Sequence, residues 1–72
     1  MTQEIEFLLR GEFVELNQLL KLVGVCDSGG AGKVLVGEGA VSVDGQVETR
    51  KTAKIRAGQM VTVGDVQIRV QA

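Results

Sequence analysis

Histidine, proline, tryptophan and tyrosine are all missing from these 72 residues, and the chain holds a single cysteine and two phenylalanines. Without histidine and with one thiol, neither a disulfide nor a zinc site can form within the chain. Most catalytic triads are excluded for the same reason. Cys26 follows the apolar run "LVGV", so it reads as a small buried packing residue in a reducing, cytoplasmic setting. The scarcity of aromatics leaves few platforms on which bases of a single strand could stack. Long apolar runs are missing too. The longest uncharged stretch, Ala57 to Gly64, is far short of a membrane span, and the amino end "MTQEIEFLLR" is acidic where a signal peptide would be basic. The expectation is a complete, soluble, cytoplasmic protein with no membrane partner.

What is present is a small domain's worth of Val, Leu and Ile. At this length a single core supplies only about 3–5 kcal/mol, and no room remains for a separate catalytic domain. Net charge is −1, but it is unevenly spread. Residues 1–48 carry eight acids and three bases, and residues 49–72 carry one acid and five bases. Four of those bases lie in "RKTAKIR", Arg50 to Arg56. Such local asymmetry says more about partners than the total does.

The stretch "DSGGAGKV", Asp27 to Val34, sets three glycines before a lysine, as phosphate-cradling loops do. The nucleotide loop G-x-x-x-x-G-K-[ST] would require glycine at position 27 and a hydroxyl at position 34. Asp27 would repel phosphate and Val34 cannot bind magnesium, so no nucleotide cofactor is expected. A helix start fits better. Asp27 or Ser28 can cap the first free N–H groups, and "GEG" (Gly37 to Gly39) closes the helix. Each glycine inside a helical turn still costs about 1 kcal/mol against alanine. Something must therefore approach Gly29, Gly30 and Gly32 closely, either another helix or an anion at the bare N–H groups.

Elsewhere the periodicity is informative. "EIEFLL" alternates and predicts a short strand. Leu16, Leu19, Leu20 and Val23 recur on one helical face, Gly24 ends that helix, and the second begins a few residues later, which predicts a tightly joined helix pair. After Gly39 the period becomes two. Asp44-Gly45 and Gly64-Asp65 mark two hairpin turns, and Val66, Ile68 and Val70 share one strand face. The order predicts an α+β domain with two short helices packed on a small antiparallel β-sheet. It spans residues 1–72 as one domain, without repeats or linkers.

The run from Leu16 to Val63 resembles the RNA-binding domain named after ribosomal protein S-four, also called the alpha-L motif. Leu16, Leu19, Leu20, Gly24, Ser28, Gly39, "VSVDG" and Gly58 carry the resemblance over 48 of 72 residues, a core motif of about 16–63. "SGG-x-x-K" followed by "EG-x-V-x-VDG-x-VETRK-x-x-K" is similar to the small stand-alone YbcJ-like proteins of bacteria. The resemblance implies a bacterial, non-enzymatic RNA-binding protein of translation, with structured RNA (ribosomal or transfer RNA) as partner. It also implies that the helix-pair surface and the adjoining hairpin make the contacts. By position it brings together Lys33 on the second helix with Arg50, Lys51 and Lys54 on the arm after the turn. Arginines that many members carry before the first helix and after the serine are absent here, where "FVEL" and "SGGAG" stand.

Phosphate binding needs cations on one face. In an extended "RKTAKIR", Arg50, Lys54 and Arg56 would point one way and Lys51 the other, with Ile55 inward beside Ala53. Candidate RNA contacts are thus Lys33, Arg50, Lys51, Lys54 and Arg56, with Ser28, Gly29 and Gly30 presenting the helix start. The bland alternative for the basic run is a solvated edge strand whose lysines discourage aggregation. Glu12, Glu15, Glu38 and Glu48 show no spacing of an acid–base or metal cluster, and no nucleophile–base pair exists, so neither an enzyme nor a metal or other cofactor is expected. The rival reading is a protein–protein adaptor whose acidic first part docks on a ribosomal or RNA-modifying protein.

Overall fold

The structure is a computed structural model and describes residues 2–72. The chain runs β1 (Gln3–Leu8), β2 (Val14–Glu15), α1 (Leu16–Leu22), α2 (Gly29–Gly37), β3 (Val41–Val43), β4 (Gln46–Val47), β5 (Lys54–Ile55), β6 (Met60–Val63) and β7 (Val66–Gln71). Five strands form one sheet in the order β1-β7-β6-β3-β4, while β2 and β5 pair separately beside the helices. The two helices lie on one face of the sheet, as the period change after Gly39 predicts.

Both predicted turns close hairpins. Asp44 (φ 52°) and Gly45 (φ 86°) lie in the left-handed region, the geometry of the tight turn whose twist suits two antiparallel strands. Asp44 is fixed there because its Oδ1 accepts the Met60 N–H at 3.0 Å. Gly64-Asp65 joins β6 to β7 with Val63 opposite Val66. These registers align Ile5, Ile68, Val61 and Val43 in one row across four strands. On that face Val41, Val61, Ile68 and Val70 are buried against Leu16, Leu19, Leu20 and Val36. Cys26 belongs to the same cluster. Burial, and then Asp27, push its thiol pKa up, so it packs rather than reacts.

In one respect the sheet departs from expectation: it is mixed, not purely antiparallel. β1 runs parallel to β7, with Gln3 opposite Val66 and Leu8 opposite Gln71. Turn dipeptides announce only neighbours joined by tight loops, which are antiparallel. A parallel pair needs a crossover, and here both helices and five strands intervene.

Candidate nucleic-acid interface

Ser28 caps α2: its hydroxyl accepts the Ala31 N–H at 3.1 Å. The glycines behind it divide by role. A β-carbon on Gly32 would stand 2.7 Å from the Asn17 carbonyl oxygen of α1, so this glycine permits the two helices to touch. On Gly29 it would meet the Gln18 and Asn17 amide nitrogens at 3.0 and 3.4 Å, and on Gly30 only the Ser28 hydroxyl at 3.8 Å. Helix packing therefore explains Gly32 and, in part, Gly29. Gly30 is exposed, open to a ligand, and has no packing reason to be glycine.

The basic run is not one strand. Only Lys54 and Ile55 are in extended pairing, antiparallel to β2 with Val14 opposite Ile55 and Glu15 opposite Lys54. Residues 50–52 form an arm across the start of α1. α1 has no side-chain cap, and its first N–H groups are taken by the arm instead. Leu16 donates to the Ala53 carbonyl at 2.8 Å and Asn17 to the Lys51 carbonyl at 3.2 Å. A helix start has four such donors to satisfy, so these two bonds tie the arm to the helix pair. Ala53 and Ile55 are buried, while Lys51, Lys54 and Arg56 are exposed.

That tether brings predicted residues together. The Lys51 side chain lies along α2, with Cε 3.1 Å from the Gly37 β-carbon position. Lys33 and Gly37 are four residues apart on α2, hence on one face, so Lys33 and Lys51 border the same strip of surface. Arg50, Lys51, Thr52, Ala53 and Lys54 line an open depression of about 550 Å³ beside it.

Arg50 is differently placed. Its Nη2 and Nε reach Glu48 Oε1 and Oε2 at 3.0 and 3.2 Å, and its backbone N–H donates to Oε2 at 3.0 Å. This is the one ion pair among the described residues. The Arg50 side-chain hydrogen bonds, then its backbone N–H, hold the Glu48 pKa down at about 2. The Arg50 charge is therefore already answered at neutral pH, which separates it from the other four cations.

Phe13 escapes sequence reasoning. Its ring lies under the Lys54 ammonium (4.9 Å from the centroid) and the Arg56 guanidinium (5.8 Å). Arg56 is also held by its N–H to Gln59 Oε1 (2.7 Å) and by Nη1 to the Glu12 carbonyl (3.5 Å). The ring's negative face attracts both cations and keeps two like charges side by side. No local signal marks Phe13, because its partners lie about forty residues away, across the β2–β5 pairing.

Among the described residues no group of His, Cys, Asp or Glu gathers as a metal site requires. The residue types and their arrangement provide cations and free N–H groups, a surface for anions.

Comparison with known proteins agrees with this architecture. The S4 domain family model matches residues 7–71. The protein YbcJ of Escherichia coli (strain K12) is 51% identical over 59 residues, covering 82% of this chain and 84% of that protein. A Shigella flexneri YbcJ matches to the same extent. The solution structure of YbcJ from E. coli, described as revealing an alpha-L motif involved in RNA binding, superposes with a TM-score of 0.70 at 42% identity. It covers all of this chain and 90% of that one.

Proposed function

The chain belongs to the S4 domain family, and from that premise we propose that it is a non-enzymatic RNA-binding protein that grips structured RNA by backbone phosphate and shape. The observation that carries this reading is the tether of the basic arm to the helix pair. It holds Lys51, Lys54 and Arg56 on one rigid support with Lys33 and the start of α2. Cations so fixed lose little freedom on binding, and each phosphate they neutralise releases a counterion. The bare Gly30 N–H at the positive end of α2 suits one more phosphate oxygen. With bases read little, a helical junction or bulge in A-form RNA is the fitting target. Ribosomal or transfer RNA, in the cytoplasm and in translation, is the class the family resemblance favours.

The test is a fluorescence-anisotropy titration against a junction-containing ribosomal RNA fragment at several salt concentrations. Four free cations imply that log affinity falls with log salt at a slope of about −3. The folded quadruple variant Lys33→Glu, Lys51→Glu, Lys54→Glu, Arg56→Glu should lose binding. A slope near zero, or undiminished binding by that variant, overturns the reading.

A further inference from the structure

β1 is one edge of the five-stranded sheet. Gln3 donates to the Asp65 carbonyl and Leu9 to the Gln71 carbonyl, both at 2.6 Å, on the β7 side. In a parallel ladder alternate residues face alternate sides, so the N–H and C=O groups of Glu4, Glu6 and Leu8 point to the open edge. Exposed edges are commonly guarded by lysine, proline or a bulge. β1 has no lysine, proline or bulge over its six residues, and the charged side chains that guard it, Glu4 and Glu6, are acids that admit a basic strand.

Its side chains make a pattern. Ile5 and Phe7 face the core side and are half-buried, while Glu4, Glu6 and Leu8 are exposed on the other face. Asp65, in the turn that receives the Gln3 N–H, adds a third acid at that end. Beyond Leu8 an open groove of about 870 Å³ is lined by Phe7, Leu8, Leu9, Phe13 and Leu22, with the charged Glu6 and Arg10 also in its wall. Leu8 is 66% exposed, Leu22 59% and Phe13 39%. Three large apolar side chains around one groove, next to an unpaired strand edge, form an interaction surface rather than scattered exposure.

We propose that β1 and this groove receive an extended segment of another protein as a sixth strand, in which apolar and basic residues alternate. Apolar side chains would sit opposite Ile5 and Phe7, Lys or Arg opposite Glu4 and Glu6, and a further apolar one would fill the groove at Leu8. Main-chain bonds supply the affinity in such strand addition and alternate side chains the specificity. Charge selects the occupant. A symmetric antiparallel pair of this chain centred on Ile5 would set Glu4 opposite Glu6, and one centred on Glu6 would set Glu6 opposite itself. Like charges directly opposite are destabilising, and a pair centred on Phe7 would overlap only at residues 6–8 of β1. The same acids disfavour an RNA phosphate at this edge, where Arg69, opposite Glu6, is the one cation on that face of the β1–β7 pair.

The experiment is an NMR titration of the isotope-labelled protein with a capped peptide alternating lysine and valine and ending in leucine, made in both chain directions. The control peptide has the same residues with the lysines grouped. Slowed hydrogen exchange of the Glu4, Glu6 and Leu8 amides, for one direction of the alternating peptide only, is the expected result. Glu4→Lys with Glu6→Lys should weaken that binding about tenfold and confer binding of the matching glutamate–valine peptide. Leu8→Asp should abolish the shifts around Leu22 and Phe13. Unchanged exchange at the three outward amides, equal binding of the grouped peptide, or a wild-type dimer formed through β1 in sedimentation would each overturn the proposal.

Discussion

Gly30 and Gly32 differ by one turn of thought in the sequence but by a whole environment in the fold. A methyl group on Gly32 meets the Asn17 carbonyl at 2.7 Å, and backbone cannot step aside as a flexible side chain can. Gly32→Ala should therefore cost about 1–3 kcal/mol in urea unfolding. Gly30→Ala meets only the Ser28 hydroxyl, at an ordinary 3.8 Å, and should hold or raise stability by up to about 1 kcal/mol, with weaker RNA affinity if a phosphate approaches its N–H. Glu48→Gln tests another single residue. Freed from its carboxylate, Arg50 becomes available to phosphate, and the salt slope of RNA binding should steepen by about one. Sequence inspection flagged the glycines and Arg50 but set Glu48 aside, and it could not say which glycine served packing or that Glu48 engages the arginine.

At the scale of elements, the basic arm depends on β2. The two residue pairs of β2 and β5 set Phe13 beneath Lys54 and Arg56, and the arm in turn caps α1. Phe13→Leu keeps an apolar side chain at a 39% exposed site, so the melting temperature should change little. Loss of the ring's hold on two cations should still lower RNA affinity by about two- to fivefold, read by anisotropy at low salt. A melting shift as large as the affinity loss would mean that Phe13 serves packing alone. The helices themselves were legible, because Leu16, Leu19 and Leu20 repeat at helical spacing and Ser28 is a capping residue. The arm was not, since nothing in "RKTAKIR" states that its carbonyls receive the N–H groups of a helix thirty-five residues earlier.

Over the whole molecule the charge division of the sequence becomes a partial division of surfaces: Glu4 and Glu6 stand on the open sheet edge with Arg69 opposite Glu6, while Lys33 and Lys51 stand on and beside α2 and Lys54 opposite Glu15. Acid should expose its weakest electrostatic link. The Glu48 pKa is lowered in the fold, so its contribution is present above the ordinary carboxylate value near 4.5 and is lost as pH falls through about 2. A melting profile from pH 5 to pH 2 should show wild-type stability falling toward that of Glu48→Gln. A constant difference between the two across that window would deny the Arg50–Glu48 pair any part in stability.

The α+β class, both helices, both hairpin turns and the inward residues of the strands follow from the sequence alone. Periodicity and turn chemistry act over a few residues, and the chain carries them openly. The parallel seating of β1 on β7, the open acidic edge this creates, the arm across α1 and the cations over Phe13 were decided only by tertiary structure. Each joins residues roughly thirty or more positions apart. Their pairing is selected by the burial of a shared core, a property of the folded whole that no short stretch of sequence contains.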